Sequence, residues 1–124
     1  MAKFSFDVIV FGATSFVGQI LCRYLSQQFG PGGKLRWAVA GRSRDKLEAL
    51  KKELGKPADK LKLLVADAAD VGALREMCSQ TRVVVSTVGP YALYGEPLVK
   101  ICAETGTDYC DLTGEVQWIK RMLD

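Results

Sequence analysis

Residues 6–18 constrain the fold more than any other stretch of this chain: Phe6-Asp7-Val8-Ile9-Val10-Phe11-Gly12-Ala13-Thr14-Ser15-Phe16-Val17-Gly18. An apolar run stops abruptly at Gly12. A turn of small residues follows, and then a helical pattern begins, with Val17, Ile20, Leu21, Tyr24 and Leu25 at helical spacing. Strand, tight glycine turn and helix is the order a dinucleotide-binding unit needs. Gly12 lets the chain leave the strand sharply, a small residue at 15 lets backbone approach a pyrophosphate, and Gly18 lets helix and strand pack closely. The first-turn amides of such a helix lack partners inside it, and the helix dipole favours an anion there. The spacing is Gly-x-x-Ser-x-x-Gly, with Ser15 where a middle glycine is expected. An ordinary strand-to-helix turn with Thr14 or Ser15 as N-cap would read the same way.

The remaining chain repeats the alternation. Leu35–Ala40 reads as a second strand, and Arg44–Leu54 as a second helix with Leu47, Leu50 and Leu54 inward and Gly55 closing it. Leu61–Ala66 is a third strand. A third helix follows, with Asp70 as N-cap and Val71, Leu74, Met77 and Cys78 inward. Arg82–Val88 is a fourth strand, whose valines suit burial on both faces. Glu96-Pro97 opens a helix lined by Leu98, Ile101, Cys102 and Thr105, and residues 107–112 form a shorter fifth strand. Thr113 then caps a last helix running through Glu115, Val116, Ile119 and Leu123. Breaks fall at residues 27–33, 56–60 and 89–95. The pattern predicts one α/β domain over residues 1–124, a Rossmann-type doubly wound parallel sheet in the order 3-2-1-4-5 with helices on both faces.

Composition excludes several classes. Seventeen Lys and Arg against 14 Asp and Glu leave a net charge of +3, with no basic run that would suit nucleic acid. No apolar segment reaches the roughly 20 residues of a membrane span, and the first residues do not resemble a signal or transit peptide. Cytoplasm is the expected compartment, or an organelle reached by signals not visible in the chain. The cysteines, at 22, 78, 102 and 110, make no Cys-x-x-Cys pair, and histidine is absent, so no metal is expected. Small buried thiols in a reducing compartment are the expectation. Without histidine no Ser-His-Asp or Cys-His mechanism operates within the chain.

In such a sheet a ligand lies at the carboxyl ends of the strands, where the winding reverses. After the second strand comes Gly41-Arg42-Ser43-Arg44, without the acid that usually bonds the 2′-hydroxyl of NAD. A guanidinium there matches a phosphate instead, so NADP is expected in preference to NAD. Arg42, Arg44 and Lys46 crowd the start of a helix, where the dipole disfavours cations unless a phosphate reverses the sign, and Ser43 is the expected N-cap. Asp67 either bonds the adenine amino group or caps a turn. Ser86 and Thr87 are expected to be satisfied by neighbouring backbone. Tyr91 and Tyr94 are expected to pack beside a cofactor rather than donate protons. Glu96 and Glu115 stand where acids stabilise helix dipoles.

Four segments together resemble the saccharopine dehydrogenase-like oxidoreductases: residues 10–18, residues 37–47, Val88-Gly89-Pro90-Tyr91-Ala92-Leu93-Tyr94-Gly95-Glu96-Pro97, and Tyr109-Cys110-Asp111-Leu112-Thr113-Gly114-Glu115. Ser15 departs from the glycine more usual in the family. The resemblance implies the N-terminal nicotinamide-dinucleotide-binding domain of a longer oxidoreductase, whose substrate domain lies downstream and is absent from this chain. The family's members are similar to saccharopine dehydrogenase of lysine metabolism or to trans-acting enoyl reductases of lipid synthesis, implying an amino-acid or lipid-related substrate. Carried over, Gly12, Thr14, Ser15, Phe16, Val17 and Gly18 would hold the pyrophosphate, and Arg42 and Ser43 the adenosine ribose or its phosphate. Gly89, Pro90 and Tyr91 would lie against the nicotinamide. No catalytic residue carries over, and the isolated chain is expected to be inactive. The alternative is a non-catalytic nucleotide-binding or protein-interaction module on the same fold. A short-chain reductase active by itself is disfavoured by the lack of a Tyr-x-x-x-Lys. The sequence leaves a homo-oligomer open.

Overall fold

Five parallel strands in the order β3-β2-β1-β4-β5 carry the structure. The computed structural model describes residues 5–28, 35–55, 61–88, 95–111, 120, 122 and 123. The elements are β1 Phe6–Phe11, α1 Phe16–Gln28, β2 Trp37–Gly41, α2 Arg44–Leu54, β3 Lys62–Val65, α3 Val71–Cys78, β4 Thr81–Ser86, α4 Glu96–Thr105 and β5 Asp108–Asp111. The order and the parallel sense match the sequence expectation. Helix α1 runs to Gln28, two residues into the break expected at 27–33. Residues 29–33 of that break, the link at 56–60, residues 89–94 and all of the expected last helix before residue 120 lie outside the described residues.

The sheet buries apolar side chains on both faces, as parallel strands with crossover helices must. On one face Ile9 and Phe11 of β1, Ala38 and Ala40 of β2 and Val84 of β4 pack against Leu74 and Met77 of α3 and Leu98 and Ile101 of α4. On the other, Val10, Trp37 and Val39 pack against Cys22 and Leu25 of α1 and Leu47 and Leu50 of α2. The period-two alternation Ile9, Val10, Phe11 thus feeds two cores at once. Each fully buried Leu or Ile contributes roughly 1.5–3 kcal/mol relative to exposure.

Helix ends follow local chemistry. Ser43 Oγ accepts from the Lys46 amide at 3.3 Å and Asp70 Oδ1 from the Ala73 amide at 3.1 Å, both as expected N-caps. Pro97 sits in the first turn of α4, and Gly106 ends that helix in the left-handed conformation. Arg75 and Glu104 pair at 3.0 Å and tie α3 to α4, but exposed pairs of this kind are worth at most about 1 kcal/mol.

Only part of the apolar pattern that marks α1 in the sequence faces the sheet: Leu25 is buried and Leu21 packs, partly buried, against the same core. Val17, Ile20 and Tyr24 are 45%, 50% and 56% exposed, while Gly18, Cys22, Leu25 and Ser26 face the sheet. A Cβ on Gly18 would fall on the Gly12 carbonyl oxygen and lie 2.8 Å from that of Ala13. Backbone contact at 18 therefore fixes the helix rotation, and residues 22, 25 and 26 follow it inward. Val71 also corrects the reading: it is exposed at the first position of α3, one turn before the stripe meets the sheet, and only Leu74, Met77 and Cys78 are buried.

All four thiols are free. Cys22, Cys78 and Cys102 are buried, with the last two sulfurs 3.6 Å apart between α3 and α4. Cys110 departs from the expectation of buried thiols, because β5 is an edge strand whose alternate residues point outward. Burial pushes the Cys22 thiol up to about 12.

Gly18→Ala is expected to cost about 1–3 kcal/mol of stability through overpacking, read as a lowered denaturation midpoint; an unchanged midpoint would refute the backbone contact. The folded chain keeps the Cys22 proton to about pH 12, whereas the unfolded thiol loses it near 9.0. This thiol's contribution is therefore full below pH 9 and fades as pH rises toward 12. Native alkylation at pH 8 should modify Cys110 alone, and equal labelling of Cys22 would contradict its burial.

Candidate functional site

A cleft of about 510 Å³ opens at the carboxyl edge of the sheet, between the ends of β1, β2, β3 and β4. Its floor is Phe11, Gly12, Thr14 and Ser15 after β1. Gly41, Arg42, Ser43 and Lys46 form the wall after β2, with Ala66 to Ala68 beyond β3 and Thr87 and Val88 beyond β4. This is the switch point of the topology: α1 and α2 cover one face and α3 and α4 the other, with β1 and β4 adjacent where the winding reverses.

Local backbone builds the floor. Gly12 turns with φ +80°, where an L side chain is strained, and a Cβ there would meet Thr87 Oγ1 and Val88 Cγ2 at 2.7 Å. The amides of Gly12 and Ala13 both donate to the Ala40 carbonyl, at 2.9 and 3.2 Å, which holds the turn against the end of β2. Ser15 is the N-cap of α1. Its hydroxyl accepts from the Gly18 amide at 3.0 Å and lies 2.9 Å from the Thr87 hydroxyl. The amides of Phe16 and Val17 belong to the same unsatisfied first turn and find no acceptor among the described residues. They are two donors at the positive end of the helix dipole, next in the chain to Ser15 on the cleft floor.

The second wall supplies charge. Arg42 stands exposed at the end of β2, directly before the Ser43 cap, and Lys46 lines the cleft one turn into α2. Arg44 lies within 3.9 Å of Glu48 and does not line the cleft. Asp67 is the one acid on the lining among the described residues. Its Oδ1 accepts from the Ala69 amide at 2.9 Å, so it caps the turn and lines the cleft together.

The structure thus gathers Gly12, Thr14, Ser15, Arg42, Ser43 and Asp67 around one cleft. Gly18 lies behind the floor, packed on backbone. Phe16 and Val17 are not among the residues that line the cleft; they follow Ser15 in the first turn of α1 and stand 74% and 45% exposed. Gly89, Pro90 and Tyr91 fall outside the described residues. Two lining residues had other readings in the sequence. Lys46 read as one of several cations at a helix start, and its three-residue offset from the Ser43 cap is the signal that turns it to the cleft. Thr87 read as a hydroxyl satisfied by backbone. It does donate to the Gly12 carbonyl at 2.7 Å, but it also meets Ser15.

A family model described as Saccharopine dehydrogenase NADP binding domain matches residues 8–122. A trans-acting enoyl reductase of Mycobacterium ulcerans is 42% identical over 123 residues, covering 99% of this chain and 29% of that protein. A trans-acting enoyl reductase of Mycobacterium tuberculosis is 41% identical over the same length and coverage. The chain therefore spans under a third of the length of these curated relatives. Among solved structures, apo saccharopine dehydrogenase (L-Glu forming) from Saccharomyces cerevisiae superposes with a TM-score of 0.71 at 21% identity, over 94% of this chain and 24% of that one. At that identity the superposition speaks for the fold, whereas the sequence match across nearly every element is what fixes the lineage. With the strand order, the switch-point cleft and this match in agreement, the chain belongs to the saccharopine dehydrogenase NADP-binding-domain family.

Proposed function

We propose that the cleft binds NADP(H) in preference to NAD(H), as the nucleotide half of an oxidoreductase whose substrate is held elsewhere. The observation that carries this reading is the pairing of two capped helix starts with Arg42 and Lys46 on one lining that lacks an acid after β2. The amides of Phe16 and Val17 suit a pyrophosphate oxygen. Arg42, the Ser43 hydroxyl and Lys46 suit a 2′-phosphate, the guanidinium by its planar fork and the ammonium as a point charge. Gly12 supports the fit, since a Cβ there would fill the space between the floor and Thr87. Asp67 suits the adenine amino group. Gly89, Pro90 and Tyr91 are assigned to the nicotinamide side on family resemblance.

The cofactor, when bound, supplies a hydride, and this chain's own task is to orient it. The relatives named as enoyl reductases support a carbon–carbon double bond as the acceptor class. The 124 residues correspond to 29% of the length of these relatives, and on this reading they supply the nucleotide half alone.

Calorimetric titration of NADPH and NADH into the folded chain tests the reading. NADPH should bind at least about tenfold more tightly, a difference of about 1.4 kcal/mol. Arg42→Ala should lower NADPH affinity by about tenfold or more and leave NADH nearly unchanged. Equal affinity of the wild-type chain for both nucleotides would overturn the NADP preference. Absence of any heat with either, in protein that stays folded, would favour the non-catalytic module.

A further inference from the structure

We infer that Thr87 is a positioning residue for the phosphate-facing turn, acting through Ser15. The inference rests on the nucleotide reading above and adds to that site a residue that directly follows β4.

Proton bookkeeping fixes the direction of the contacts. The Gly18 amide can only donate, so Ser15 Oγ accepts from it at 3.0 Å. The Thr87 hydroxyl faces two carbonyl acceptors, that of Gly12 at 2.7 Å and that of Phe11 at 3.2 Å, and either one takes its single proton, the shorter contact being the one to Gly12. Ser15 must then donate to Thr87 across their 2.9 Å contact. The result is one ordered run, Gly18 N–H to Ser15 O–H to Thr87 O–H to the Gly12 carbonyl. It closes a ring around residues 12–18 with a hydroxyl that is remote in sequence. Thr87 is itself fixed, because its amide donates to the Phe11 carbonyl at 2.9 Å and continues the β1–β4 ladder.

Two consequences follow. The Ser15 side chain is committed to Gly18 and Thr87, which leaves the amides of Phe16 and Val17 for an external acceptor. The turn is also set from both ends: by Ala40 of β2 through the amides of Gly12 and Ala13, and by Thr87 beyond β4 through Gly12 and Ser15. Without the Thr87 hydroxyl, Ser15 keeps the bond from the Gly18 amide but loses its second partner, so one bond holds the cap where two did. A methyl in its place would also have to retreat from the Gly12 oxygen, since carbon–oxygen contacts settle near 3.3–3.6 Å.

Paired titrations of the 124-residue chain with NADPH and with adenosine 2′-phosphate test this. The second probe carries the group assigned to Arg42, Ser43 and Lys46 but has no pyrophosphate. Thr87→Val should weaken NADPH binding about fivefold to tenfold and leave adenosine 2′-phosphate within about twofold. Thr87→Ala, which removes the hydroxyl without the steric conflict, should shift NADPH in the same direction. Thr87→Ser should restore it. Unchanged NADPH affinity in both Thr87→Val and Thr87→Ala would overturn the positioning role, as would an equal loss with both probes, which marks a general structural effect. A wild-type chain that binds neither probe fails the nucleotide reading itself, a result separable from the other two.

Discussion

Gly18 meets the carbonyl oxygens of Gly12 and Ala13 with no space for a side chain, and much of the structure is set by that approach. Helix α1 cannot rotate about its axis while residue 18 is its point of closest contact. Cys22, Leu25 and Ser26 then fall toward the sheet because they share the face of residue 18. The same approach draws the start of α1 over the end of β1, where Gly12 turns at φ +80°. The first-turn amides of α1 follow directly on Ser15, which lines the cleft. Packing and site are thus one constraint seen at two scales.

Much of this was legible in the residues. Apolar runs ending at Gly12, Gly41 and Asp67, separated by helical spacing, sufficed for the strand order and the parallel sense. The caps at Ser43 and Asp70 follow from side-chain chemistry acting over three residues, so a linear reading captures them. The face of α1 did not yield in the same way. Val17, Ile20 and Tyr24 carry more apolar surface than Gly18 and Cys22, and periodicity weighs surface. The deciding term is a backbone contact, to which a glycine contributes by what it lacks. Val71 misleads for a related reason: the first position of a helix belongs to the stripe by spacing and to the cap by height.

The cleft divides along the same line. Residues that act through local geometry, among them Arg42 and Ser43, were placed by the sequence beside the strand end they occupy. Thr87 was not, because its partners are 72 and 75 residues away and nothing near it in the chain announces them. Lys46 and Arg44 show how finely the boundary runs. Both are cations in the first turn of α2, yet Lys46 lines the cleft and Arg44 reaches toward Glu48. Only Lys46 stands three residues from the cap, on the helix face turned to the opening.

Ser15 explains what the middle position of a glycine fingerprint demands. Absence of a side chain is one way to keep backbone donors clear. A side chain with somewhere else to go is another. Serine meets the second condition because it is short, accepts one bond from Gly18 and offers one proton to Thr87. Alanine could satisfy neither partner, and a longer hydroxyl or amide would reach beyond a contact of 2.9 Å. The third amide of α1 goes to the protein, while the first two, Phe16 and Val17, find no acceptor among the described residues. The substitution at 15 is consistent with anion binding because the threonine that accommodates it directly follows β4, the strand next to β1, within reach of the turn it steadies.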